Sequence, residues 1–165
     1  MAIALLTLAA AGTAALLLTT ALGYQVPGDV ARMRTHFLLA LGSTTMLVMA
    51  HSFIMFFLIA TGVELKDMEK AEGWGDSFRR RTIALKSRVF PAMTFAILLV
   101  IANFILGAAA HTRAAPPWVH HGVAWGTVLV CLVTLHREYL VIGDNNRLIA
   151  EAASRREDRG RAGVG

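Results

Sequence analysis

Four histidines in two apolar segments are the residues of this chain best suited to chemistry. His36 and His51 are fifteen residues apart in one segment, and His121 and His136 have the same spacing in the other. Fifteen residues of α-helix rise about 22 Å and turn through a net offset of about 60°, so the two histidines of each segment are predicted to face one side. An imidazole inside a membrane is costly to bury and by default indicates a functional site. Two such helices side by side would offer facing imidazoles, and so two metal centres, at two depths of a bilayer.

The composition places the chain in a membrane. Of its 165 residues 56% are hydrophobic, only 16% are charged, and the mean hydropathy is +0.56. Four apolar runs, at residues 2–22, 37–62, 89–110 and 118–142, are each long enough to cross about 30 Å of hydrocarbon. We therefore expect an all-α, up-down four-helix bundle over residues 1–143. The first run has no Lys or Arg before it and is longer than the apolar part of a secretory signal, which favours a retained helix.

The basic residues predict the orientation of the bundle. Only Arg32, Arg34 and Arg113 lie in the first and third connections. The second connection and the region after His136 carry the others: Lys66, Lys70, Arg79, Arg80, Arg81, Lys86, Arg88, Arg137, Arg147, Arg155, Arg156, Arg159 and Arg161. By the positive-inside rule both termini should be cytoplasmic, in a bacterial-type inner membrane. The net charge of +5 then reflects orientation and anionic lipid headgroups, and no nucleic-acid motif is present.

The polar segments are expected to be short and simple. Residues 63–88 read as an inner loop that contains an interfacial amphipathic helix. Gly143, Asp144 and Asn145 indicate a break after the fourth helix. Residues 144–165 are then predicted to form a short cytoplasmic helix and a disordered tail. The single cysteine, Cys131, lies within the fourth run and is expected to be a small packing residue.

The histidines would pair between helices two and four. With the predicted orientation, His36 lies opposite His121 near the outer face, and His51 lies opposite His136 deeper in the membrane. Neutral imidazole is a good axial ligand of haem iron, and bundle cores are where such sites are built. This pattern resembles the dihaem four-helix core of membrane b-type cytochromes, in which two helices supply two histidines each, about four turns apart. The resemblance implies one or two haem b groups held by these four histidines.

Two further histidines leave other ligand sets open. His111 and His120 are expected at the same outer level as His36, and either copper or zinc suits a cluster of imidazoles. His120 could also replace His121 as the outer haem ligand. For His51 the alternatives are a proton relay or an interhelical hydrogen bond, for example to Asn103.

The expected function is electron transfer across the bilayer, between a quinone pool and a partner protein. No soluble redox domain is evident, so the chain would be a subunit of a larger membrane redox complex, in effect part of an oxidoreductase, or a homo-oligomer. Candidate quinone-site residues are Tyr24, Gln25 and Asp29 at the outer face, or Lys66, Glu138 and Tyr139 at the inner face. The alternatives are a non-redox accessory or assembly subunit and a copper- or zinc-handling membrane protein.

Overall fold

A computed structural model of the chain describes residues 1–26 and 29–162. Over this part the protein is helical apart from the short connections between helices, and it contains no strand. The helices are α1 (Ala2–Gly23), α2 (Val30–Glu72), α3 (Ser77–His111) and α4 (Pro117–Ala162). Each contains a window apolar and long enough to cross a membrane, which confirms the predicted four-helix membrane bundle.

The helices pack in chain order around the bundle. Each packs against the next, and α4 closes the ring against α1. Of the two diagonals, α2 and α4 are in contact, whereas the described parts of α1 and α3 are not. The two helices that carry the paired histidines therefore approach each other across the centre.

Three helices continue well beyond the apolar runs. α2 reaches Glu72 and α3 begins at Ser77, so only residues 73–76 separate them. Most of the residues predicted to form a long inner loop therefore belong to the ends of these two helices. α4 passes without a break through residues 143–145 and on to Ala162, where a break, a short helix and a tail were expected. The last three residues of that predicted tail lie outside the described residues.

Packing among the extensions explains why they stay helical. Leu148 and Ala152 of α4 are buried in the same apolar cluster as Leu65 of α2 and Phe78 of α3. We call this three-helix extension, residues 63–88 and 143–162, the stalk. We call the opposite end of the bundle, with connections 24–29 and 112–116, the histidine end.

Glu69 fixes the turn at the tip of the stalk. Gly73 ends α2 in the left-handed conformation at φ 65°, which glycine adopts without steric cost. The buried Glu69 carboxylate then accepts hydrogen bonds from the backbone N–H groups of Phe78 and Arg79, the latter at 3.0 Å. These N–H groups at the start of α3 have no partner within their own helix. Glu69 therefore caps α3 from the neighbouring helix.

The buried face of α4 follows a seven-residue repeat. Its core positions alternate between three and four residues apart: Ala124, Thr127, Cys131, Thr134, Glu138, Val141, Asn145, Leu148 and Ala152. This is the spacing of helices that supercoil with left-handed twist, about 3.5 residues per turn relative to the partner. We refer to these nine positions as the α4 seam.

Candidate functional site

The centre of the bundle holds a buried pair of ionisable side chains. Nδ1 of His51 on α2 lies 2.6 Å from Oε1 of Glu138 on α4. Both side chains are 0% exposed. Since an isolated charge in such surroundings costs several kcal/mol, the two groups must share a proton or pair as ions.

The pair lies within the apolar layer. His51 is eleven residues before Gly62, where the apolar run of α2 ends, which corresponds to about 16 Å along the helix. Glu138 occupies the α4 seam, and the fully buried Ala50 and Ile54 flank His51 on α2. The contact between α2 and α4 across the bundle brings the two side chains together.

Each member of the pair keeps one polar atom free. Nε2 of His51 and Oε2 of Glu138 are buried and have no hydrogen-bond partner among the described residues. Buried polar atoms without partners are rare, because each loses its hydration without replacement. Depending on the protonation state of the pair, Nε2 of His51 can donate or accept a hydrogen bond, and Oε2 of Glu138 can accept one.

His136 does not lie opposite His51 in the bundle interior. Its side chain is exposed on α4, two residues before the buried Glu138. The expected 60° offset refers to a straight helix, whereas core positions in this bundle follow the seven-residue frame, in which fifteen residues leave an offset of about 100°. His121 and His136 therefore do not share a face of α4.

The histidine end brings His36 and His121 together. Cε1 of His36 lies 3.2 Å, and Cε1 of His121 3.7 Å, from the position that a Cβ would take on Gly23. The two rings pack over this glycine because it has no side chain. His121 also stacks on Tyr24, with ring centroids 4.4 Å apart, and Trp125 donates a hydrogen bond to the Tyr24 hydroxyl at 3.0 Å.

His120 is close to this pair and His111 is not part of it. The His120 and His121 ring centroids are 5.8 Å apart, and Cε1 of His120 is 3.0 Å from the position of a Cβ on Gly107. His111 is exposed at the end of α3. Nowhere in residues 1–26 and 29–162 do three His, Cys, Asp or Glu side chains converge in a group that could hold a metal ion.

The predicted histidine pairs differ between the two levels of the bundle. At the histidine end, imidazoles from facing helices converge over a glycine. At the deeper level the exposed His136 does not face His51, whose Nδ1 is already paired with Glu138. The structure therefore brings His36 and His121 together, but not His51 and His136.

Further polar side chains lie on the buried faces toward either end. Toward the stalk, Thr61 on α2 donates a hydrogen bond to Oδ1 of Asn145 at 3.1 Å. Toward the histidine end, Thr134 and Thr127 are buried on the α4 seam and Asn103 is buried on α3. Oδ1 of Asn103 and Nδ2 of Asn145 have no partner among the described residues.

The sequence pattern identified His51 as central and missed its partner. Glu138 follows Arg137 near the charged end of the fourth run, so the sequence predicts it only as a candidate quinone-site residue at the inner face. The signal that identifies it is the three-and-four spacing of the α4 seam, which continues past Glu138 through Val141 to Ala152. The expected partner Asn103 is buried but forms no hydrogen bond to His51.

The fold and this site define an integral-membrane four-helix bundle with an ionisable pair at its centre. No protein-family model, curated protein sequence or solved structure matches the chain. Its function is therefore inferred from the geometry of its own side chains.

Proposed function

We propose that this chain is a membrane subunit in which His51 and Glu138 exchange protons within the apolar layer. The observation that carries the proposal is the enclosed pair itself, 2.6 Å apart, 0% exposed and with one free polar atom on each side chain. Ionisable groups held between helices of a membrane bundle are typical of proton relays.

The pair has two protonation states that differ by one proton. With one shared proton beyond the neutral imidazole and the carboxylate, it is electrically neutral, whether that proton lies on Glu138 or on His51. Loss of the proton leaves a carboxylate stabilised by the Nδ1–H of a neutral imidazole. A proton enters or leaves the pair through Nε2 of His51 or Oε2 of Glu138. These two atoms have no hydrogen-bond partner among the described residues.

Polar side chains on the seam outline a path in both directions. Asn145, held by Thr61, is seven residues from Glu138 toward the stalk, which is about 10 Å along α4. Thr134 lies one turn from Glu138 in the other direction. Water molecules must complete the path across these gaps.

The charge distribution supports an orientation with the stalk in the cytoplasm of a bacterial-type cell. The stalk carries most of the Lys and Arg residues, in keeping with the positive-inside rule and with anionic lipids at its base. In this orientation the path from Asn145 to Glu138 connects the pair with the cytoplasm. A larger membrane complex, or a second copy of the chain, would supply the driving force for proton movement.

The test is proton flux through the full chain in liposomes. A pH-sensitive dye is enclosed, and a potassium gradient with valinomycin provides the driving potential. We expect wild-type vesicles to acidify faster than protein-free vesicles. Glu138→Gln, which keeps size and hydrogen bonding but cannot ionise, should slow the flux by about tenfold or more.

The matched control is Glu151→Gln on the same helix. Glu151 is half exposed and pairs with Arg81 on the stalk surface at 2.8 Å, so its neutralisation should leave the flux unchanged. Wild-type flux no faster than that of empty vesicles, or a Glu138→Gln variant that conducts like the wild type, would contradict the proposal.

A second candidate function is electron transfer through one bis-histidyl haem b at the histidine end. The convergence of His36 and His121 over Gly23 supports it. Bound there, a haem would accept and release single electrons, and a quinone pool or a partner protein would be the source. This function and the proton pair are compatible, because they use different residues.

Visible spectroscopy tests this second candidate. Dithionite-reduced minus oxidised spectra of the purified protein, with pyridine haemochrome quantitation, should give one haem per chain. His36→Ala should lose it and His136→Ala should keep it. A colourless preparation would exclude the haem and leave proton exchange or a non-redox accessory role.

A further inference from the structure

We propose that a cleft between α1 and α2 at the histidine end binds a neutral carbonyl group carried on an apolar body, as in a quinone or an acylglycerol. The cleft has a volume of about 300 Å³ and is lined by Leu22, Gln25, Ala31, Arg32, Thr35 and His36. This is the lower end of the range for small-molecule sites and suits a single ring or ester headgroup. We call it the α1–α2 cleft.

The polar groups of the α1–α2 cleft are arranged to donate hydrogen bonds. Oε1 of Gln25 faces Nη1 of Arg32 at 3.5 Å, which leaves the amide N–H groups of Gln25 free for a ligand. Nδ1 of His36 is buried without a partner among the described residues, and it donates in the tautomer that carries the proton on this nitrogen. The Thr35 hydroxyl already donates to the Ala31 carbonyl. A carbonyl oxygen is the complement of this donor set.

The charge balance favours a neutral ligand over an anion. Nε of Arg32 lies 3.1 Å from Oδ2 of Asp29, and Oδ1 of Asp29 accepts the backbone N–H of Arg32 at 3.0 Å. The one cation of the cleft is therefore compensated within its own helical turn. A phosphate would meet this carboxylate beside the guanidinium, whereas a carbonyl meets only dipoles.

The surroundings favour a ligand that reaches the site from the lipid. Leu22 and Ala31 line the cleft, and the exposed Phe37 and Leu38 continue the apolar surface along α2 toward the bilayer. An isoprenoid or acyl tail would follow this surface. The cleft is about four helical turns from His51, so its ligand does not depend on proton exchange at Glu138.

Photolabelling of the full chain in liposomes tests the proposal. The probe is an azido-ubiquinone analogue, and the labelled peptides are mapped by mass spectrometry. We expect the label to concentrate in residues 22–36 and to be displaced by excess decylubiquinone. Gln25→Leu removes the free amide donors of an exposed residue and should reduce the displaceable label by about fivefold. The matched control is Asn146→Leu, an exposed amide on the stalk, which should leave it unchanged.

Competitors distinguish the sources of the carbonyl. Displacement by decylubiquinone but not by dioctanoylglycerol assigns the cleft to a quinone, and displacement by dioctanoylglycerol assigns it to a glycerolipid ester. Label spread evenly over the lipid-facing helices would overturn the proposal. Displacement of the label by phosphatidylglycerol, but by neither decylubiquinone nor dioctanoylglycerol, would also overturn it. Neither result bears on proton flux through Glu138.

Discussion

Oε1 of Glu138 lies 2.6 Å from Nδ1 of His51, across the diagonal that joins α2 and α4. The contact links the two longest helices at a level where all other neighbours on the seam are small or apolar, such as Cys131, Thr134 and Val141. A buried ion pair contributes little net stability compared with apolar residues of the same size. The pair is therefore weak evidence for a stabilising role, and the proton-exchange proposal rests on its enclosure and on its two polar atoms without a partner among the described residues.

The first prediction separates two effects on the free energy of unfolding. One is the loss when a single partner of the pair is removed, and the other is the net contribution of the intact pair. His51→Ala or Glu138→Ala should each lower the free energy of unfolding by about 3–5 kcal/mol, because each leaves the other group buried and unpaired. The double variant His51→Leu, Glu138→Leu should recover most of this loss or exceed wild-type stability. Unfolding in mixed micelles with increasing SDS measures all three.

The comparison variant for this cycle is Glu151→Ala, which breaks an exposed pair with Arg81 and should cost no more than about 1 kcal/mol. A double leucine variant that is as unstable as the single variants would mean that the polar pair itself holds the bundle together. If the double variant is stable but conducts no protons, the pair is functional and not structural.

The second prediction concerns the cap at the tip of the stalk. Glu69→Ala should destabilise the protein by about 1–2 kcal/mol, since two backbone N–H groups at the start of α3 lose their acceptor. Hydrogen exchange should accelerate at residues 77–80 and remain slow around Met93 in the membrane. Glu64→Ala, an exposed glutamate one turn earlier on α2, should have no such effect. Equal exchange rates in the two variants would show that the cap does not hold the turn.

Hydropathy predicts the four crossings because every α-helix that spans hydrocarbon must be apolar over about 20 residues. It could not predict the stalk, where α2, α3 and α4 continue through charged sequence. There the helices are held by burial of a few residues such as Leu148 and Ala152, and by pairs such as Arg88 with Asp144 at 3.3 Å. These tertiary contacts override the break signal at residues 143–145.

The sequence predicts the positions of only some of the histidines, because the others also depend on tertiary structure. His36 and His121 converge because each lies at the end of its helix, close to a loop and to Gly23. The direction of the His136 side chain depends on the twist of the bundle over four helical turns. A small error in the assumed number of residues per turn therefore rotates this side chain to the surface. The haem cofactor and the electron-transfer role stay predictions that neither the fold nor the side-chain positions test.

A third prediction follows from this rotation. His136→Ala should change the free energy of unfolding by no more than about 0.5 kcal/mol, as expected for an exposed side chain. It should also leave proton flux and any haem content at wild-type levels. His51→Asn, which keeps a donor toward Glu138, should lose the flux. Equal losses in the two variants would restore His136 as the partner of His51.

The fourth prediction concerns close packing at the base of the stalk. A Cβ on Gly62 would lie 2.6 Å from Cγ2 of Thr82 and 3.1 Å from Nζ of Lys86. The lysine amine ends a flexible chain and can move, but the threonine methyl is fixed on α3, where its hydroxyl donates to the Phe78 carbonyl at 2.8 Å. Gly62→Ala should therefore cost about 1–3 kcal/mol through overpacking, despite the higher helix propensity of alanine.

Thr82→Ser provides the rescue, because it removes the obstructing methyl group and keeps the hydroxyl. The double variant Gly62→Ala, Thr82→Ser should regain most of the stability lost in Gly62→Ala, as measured by SDS unfolding. Gly42→Ala on the same helix is the matched control, since a Cβ there meets nothing within 4 Å and should stabilise α2 slightly. If Gly62→Ala behaves like Gly42→Ala, then α2 and α3 do not pack as closely as this contact requires.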